Sequence, residues 1–84
     1  MNKPGTTKDE LFMLMLYKIA SARGDQFAEI DRYEVGKAIG QNDKGVNAIV
    51  NLLAQANFIK KGEDTAIYLT PHGVSLVKQL QETT

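Results

Sequence analysis

Apolar residues along this chain switch between helical and extended spacing. Phe12, Met15, Leu16 and Ile19 recur at intervals of three and four, which places them on one side of a helix with 3.6 residues per turn. Just upstream, Thr7-Lys8-Asp9-Glu10 sets a hydroxyl three residues before a carboxylate. In that capping-box spacing each side chain satisfies a backbone N–H at the helix start. The pattern predicts a first helix over 8–22, stopped at Gly24, with Arg23 near the negative end of the helix dipole. Met13, Leu14 and Tyr17 fall on the other side, where a surface helix is normally polar. A helix that is apolar nearly all round needs cover on two sides.

Gln26–Ile30 has the length and composition of one short strand. Asp31-Arg32-Tyr33-Glu34 reads as a second capping box. It opens a short helix reaching about Ile39, with Tyr33, Val35, Ala38 and Ile39 as its apolar contacts and Gly40 as its stop. Gln41-Asn42-Asp43 is a turn in which Asn42 or Asp43 can cap the next helix. That third helix, from about Asp43 or Lys44 to Ala56, carries Val46, Ile49, Val50, Leu53 and Ala56 on one arc. Two helices joined by a tight turn with glycine have helix-turn-helix spacing. Asn57-Phe58-Ile59 then leads into a strand, Lys61-Gly62-Glu63-Asp64 forms a turn, and Thr65-Ala66-Ile67-Tyr68-Leu69 is a second strand of the same hairpin. Thr70-Pro71 combines a cap with a residue suited to the first helical position. The last helix shows Val74, Leu76, Val77 and Leu80 on one side. Residues 1–6 and 82–84 are expected to fray.

The order helix, strand, helix, helix, two strands, helix resembles the winged helix-turn-helix superfamily over about residues 7–81, an α+β fold. One stretch that carries the resemblance is Leu52-Leu53-Ala54-Gln55-Ala56-Asn57-Phe58-Ile59-Lys60-Lys61, with paired leucines, a polar exit and an aromatic-plus-aliphatic strand. The other is Tyr68-Leu69-Thr70-Pro71-His72-Gly73, which is similar to the wing exit of small bacterial MarR-like and PadR-like regulators. The resemblance implies one winged-helix domain over residues 1–84 that binds double-stranded DNA as a transcription regulator. It also implies a homodimer, because helices flanking the helix-turn-helix often form the dimer in such proteins. This chain departs from the pattern in its third helix, where Lys44 is the only basic residue, and at the hairpin tip, where Glu63 and Asp64 offset Lys60 and Lys61.

Composition narrows the function further. At 43% hydrophobic and 24% charged residues, the chain is ordinary for a globular domain, and 84 residues suit one core without a deep cavity. There is no cysteine, so no disulfide framework and no thiolate metal site can exist. The start of the chain lacks the basic-then-apolar order of a signal peptide. The longest apolar run, Leu11–Tyr17, is far short of the ~20 residues that cross a membrane. The default expectation is a soluble cytoplasmic protein. Lys+Arg and Asp+Glu both number 10; this balance weighs against tight nonspecific DNA binding, which phosphate neutralisation dominates.

Turning the apolar arc of the third helix inward leaves Lys44, Asn47, Ala48, Asn51 and Gln55 outward. Asn and Gln can bond adenine through two atoms, and Ala can meet a thymine methyl. Lys60 and Lys61 would hold phosphates beside the groove, or simply discourage edge-to-edge strand pairing. Met13, Leu14 and Tyr17 are the expected homodimer face, unless the last helix covers them. A protein-binding winged helix without DNA affinity is the rival reading, favoured by the neutral charge and the acidic hairpin tip. The lone His72 has no second ligand nearby for a metal. Ser75 lies too close to it in sequence to form an oriented nucleophile and base, and Gly36, Gly40 and Gly45 do not have phosphate-loop spacing. No catalytic role and no cofactor are expected.

Overall fold

The structure, a computed structural model, describes residues 7–82. The fraying expected at 1–6 and 83–84 lies outside the described residues. The elements are α1 (Lys8–Ala22), β1 (Ile30–Asp31), α2 (Arg32–Ala38), α3 (Asp43–Gln55), β2 (Ile59–Lys61), β3 (Ala66–Leu69) and α4 (Pro71–Glu82). This is the α+β order expected from the sequence, in a winged-helix-like layout. Glu82 still belongs to α4 and is not frayed.

Local chemistry sets the element ends. The Thr7 hydroxyl accepts from Glu10 N–H, and the Glu10 carboxylate accepts from Thr7 N–H, completing the first capping box. The second box is only half made. Asp31 Oδ1 accepts from Tyr33 N–H at 3.0 Å, while the Glu34 carboxylate pairs with Arg23 instead of turning back. Three helices in succession close in the same way. After α1, Gly24 N–H donates to Ser21 O and Asp25 N–H to Ala20 O; after α2, Gly40 N–H to Lys37 O and Gln41 N–H to Gly36 O; after α3, Asn57 N–H to Ala54 O and Phe58 N–H to Leu53 O. This paired closure needs a left-handed residue. Gly24, Gly40 and Asn57 supply it with φ of 98°, 75° and 64°.

β1 is shorter and later than the sequence pattern predicts. Asp25 folds the preceding residues into a turn, accepting Phe27 N–H on its side chain and Ala28 N–H on its carbonyl, so the strand cannot start at Gln26. The three strands form an antiparallel sheet in the order β1-β3-β2, with Ile30 opposite Ile67 and Ile59 opposite Leu69. These four residues are buried and face the helices.

The largest correction concerns the roll of α1. Its buried residues are Phe12, Met13, Leu16 and Ala20, whereas Met15 and Ile19 are only partly buried. The core face is thus rotated toward Met13 from the predicted stripe. The cause is that α1 packs against α4, α2 and α3 as well as the sheet, so this chain's own elements cover more than one side. Met13 has no exposed surface and cannot contact a second copy. Leu14 and Tyr17 are half-buried against the same core. Leu11 is the exposed large apolar residue of α1, at 43%.

Candidate nucleic-acid interface

The axial position of α3 is set by Asn42, whose Oδ1 accepts from Gly45 N–H at 2.8 Å. Its roll is set by Val46, Ile49, Val50 and Leu53, all buried. Ala56, expected on the same arc, is the exposed cap residue beyond the last turn. Gly36 allows α2 to come close: a methyl group there would overlap Val46 Cγ2. This contact fixes how far α3 stands out from α2.

With that roll, Lys44, Ala48, Asn51 and Gln55 are exposed. Their spacing of four, three and four puts them on one face. This agrees with the sequence expectation for those four residues but not for Asn47. Asn47 is half-buried and turned toward α2, where Oδ1 accepts from Arg32 Nη1 at 3.0 Å and Nδ2 donates to the Tyr33 hydroxyl at 3.0 Å. Its amide is engaged within the chain and is not free to read a base edge.

Sequence reasoning assigned Arg32 no site role and read Tyr33 only as an apolar contact of α2, although both bond Asn47 on this side of the molecule. Arg32 donates through its backbone N–H and Nε to Thr65 O, at 3.1 and 3.0 Å, in addition to its bond with Asn47. One side chain therefore ties the start of α2 to the entry of β3 and to α3. No local pattern announces such a bridge, because its partners lie 15 and 33 residues away.

The two hairpin lysines diverge. Strand alternation puts Lys61 on the side of Ile59, toward α3, where Nζ donates to Asn51 Oδ1 at 2.9 Å. Lys60 is opposite Tyr68 on the outer face of the sheet. Both still border a groove between α3 and the edge strand β2, lined with Asn51, Ala54, Gln55, Asn57, Ile59, Lys60 and Lys61. The fold thus joins Asn51, Gln55, Lys60 and Lys61 in one cleft, with Lys44 and Ala48 further along the same helix face.

Charge is unevenly distributed although the total is neutral. From Val35 to Gly62 the chain has Lys37, Lys44, Lys60 and Lys61 against Asp43 alone, while Glu34 and the hairpin-tip residues Glu63 and Asp64 border this segment and offset it. All four lysines are exposed.

Elsewhere, His72 stacks on Phe58 with ring centroids 4.6 Å apart and planes 15° apart. Among the described residues no group of three or more His, Cys, Asp or Glu is placed to hold a metal ion, and no helix is long and apolar enough to cross a membrane. Compared with protein-family models, curated proteins and solved structures, the chain matches none.

Proposed function

We propose that this chain binds double-stranded DNA, as a small bacterial transcription regulator working in the cytoplasm. α3 enters the major groove and the β2–β3 hairpin lies against the adjoining backbone. The observation that carries this reading is the exposed face Lys44, Ala48, Asn51 and Gln55 of α3 opening onto a cleft that Lys60 and Lys61 of β2 border. Lys44 stands in the first turn of α3, the part of a recognition helix that usually reaches the bases. Ala48, Asn51 and Gln55 follow on the same face with small, apolar or amide groups suited to base edges. Lys60 and Lys61 supply the sequence-independent phosphate contacts. The role is binding, without catalysis.

The test is a salt series of binding to labelled duplexes. Each phosphate contact contributes about 0.9 to the slope of log K against log salt. Replacing Lys60 and Lys61 together with Ala should make the slope shallower by about one to two. Failure to bind any duplex at low salt overturns the reading.

A protein-docking role has its own specific support. Leu52 is 52% exposed on the flank of α3 and lines a groove together with Ala56, Phe58 and Leu76. In that reading Leu52→Ser abolishes partner binding and DNA affinity is absent. A homodimer remains part of the DNA-binding proposal. It would use Leu11, Leu14 and Tyr17 rather than Met13, and would set two α3 helices about 34 Å apart, one helical turn of DNA.

A further inference from the structure

The outer face of the sheet carries a second groove, lined with Phe27, Asn57, Lys60, Tyr68, Leu69, Thr70, Pro71 and His72. Tyr68 and Lys60 are direct cross-strand partners on this face, opposite the side that buries Ile59, Ile67 and Leu69. Phe27 is 38% exposed and is held there by the Asp25 turn, whose side chain accepts Phe27 N–H at 2.9 Å. The outer groove and the α3–β2 groove share Asn57 and Lys60, and the Glu29 carboxylate lies at the edge of the outer face, over Gly62. A path with Lys60 at its bend therefore runs from the α3 face to a surface that carries the partly exposed Phe27 and Tyr68 rings beside His72.

We propose that this outer groove stacks an unpaired nucleic-acid base, so that the protein recognises a duplex with a single-stranded tail in preference to a closed duplex. The inference rests on the DNA-binding reading above and specifies its substrate class. A base inside a closed duplex has neighbours on both faces and offers no ring surface to Phe27 or Tyr68. A strand that leaves the duplex beside α3 can keep its phosphates at Lys60 and Lys61 while its first unpaired base lies against the rings. Stacking on aromatic side chains is indifferent to base identity and combines with backbone cations in single-strand binders. Lys60, in the lining of both grooves, supplies the positive charge that attracts the phosphodiester chain.

The experiment compares one duplex in three forms: blunt, with a five-thymine 3′ tail, and with a five-thymine 5′ tail. Binding is followed by fluorescence anisotropy for the wild type, Phe27→Ala, Phe27→Leu, Tyr68→Leu and Tyr68→Trp. The wild type should bind one tailed form about tenfold more tightly than the blunt form, within the range expected for one stacked base. Phe27→Ala, Phe27→Leu and Tyr68→Leu should lose that gain and retain blunt-duplex binding; Tyr68→Trp should keep it. Phe27→Leu preserves apolar cover without a ring, which separates stacking from a folding defect. Equal affinity for blunt and tailed forms, or a gain that survives all three ring deletions, overturns the proposal and leaves the duplex reading intact. Binding to none of the three overturns both.

Discussion

The Arg32 guanidinium donates to Asn47 Oδ1 at 3.0 Å while its Nε donates to Thr65 O at 3.0 Å. Helix α3 and the entry to β3 are thereby held through a single side chain of α2. Asn47 is a member of the scaffold that presents the exposed face, and its amide is committed to Arg32 and Tyr33.

Asn47→Ala should therefore act on stability. It leaves a half-buried guanidinium and a tyrosine hydroxyl without their partner, a loss of about 1–2 kcal/mol. In urea denaturation, the double variant with Arg32→Ala should show a coupling of about 0.5–1 kcal/mol. Unchanged stability together with an altered DNA sequence preference would return Asn47 to the base-reading face.

Two glycines permit close approaches of different kinds. At Gly36 an added methyl meets the Val46 side chain, and at Gly73 it meets the Phe58 carbonyl oxygen. Overpacking costs about 1–3 kcal/mol, and for Gly36→Ala about 1 kcal/mol of helix propensity offsets part of it. Gly73→Ala should cost more, because a backbone oxygen cannot rotate away. Gly36→Ala combined with Val46→Ala should lose less stability than the sum of the two, whereas no side-chain trimming should rescue Gly73→Ala. Thermal and urea unfolding of the set decides the order.

Asn57 occupies the left-handed position that ends α3, with φ of 64°. Asn57→Ala should destabilise the protein by about 1–2 kcal/mol, since a Cβ without a local hydrogen-bonding group is disfavoured there. Asn57→Gly should be nearly neutral. If the two variants unfold at the same urea concentration, side-chain contacts of Asn57 and not its backbone geometry account for its effect.

Thr70 joins the exit of α3 to the start of α4. Its hydroxyl donates to Asn57 O at 2.6 Å and accepts from Gly73 N–H at 3.0 Å, and the residue is only 5% exposed. Thr70→Val keeps the shape but removes both bonds, and should cost about 2 kcal/mol. Thr70→Ser should retain most of the stability. Hydrogen exchange at Gly73 N–H should accelerate in the valine variant alone.

Element identity and most boundaries were legible in the chain, because they depend on neighbours a few residues apart. Thr7 with Glu10, Asn42 before α3, Thr70-Pro71 before α4, and the left-handed closures at Gly24 and Gly40 each act within one helical turn. The exposed quartet Lys44, Ala48, Asn51 and Gln55 was readable for the same reason: the periodicity of α3 leaves one clear apolar arc. What only the tertiary structure decided involves partners far away in sequence. The roll of α1 follows from cover on several sides, a condition under which an all-round apolar helix has no unique stripe to read, so Met13 enters the core. The engagement of Asn47 requires Arg32 and Tyr33, which α2 brings alongside α3, and the groove shared by Gln55 and Lys60 exists only once β2 lies along α3. Local backbone hydrogen bonding can be inferred residue by residue; the direction of a polar side chain on a helix flank depends on which element packs beside it.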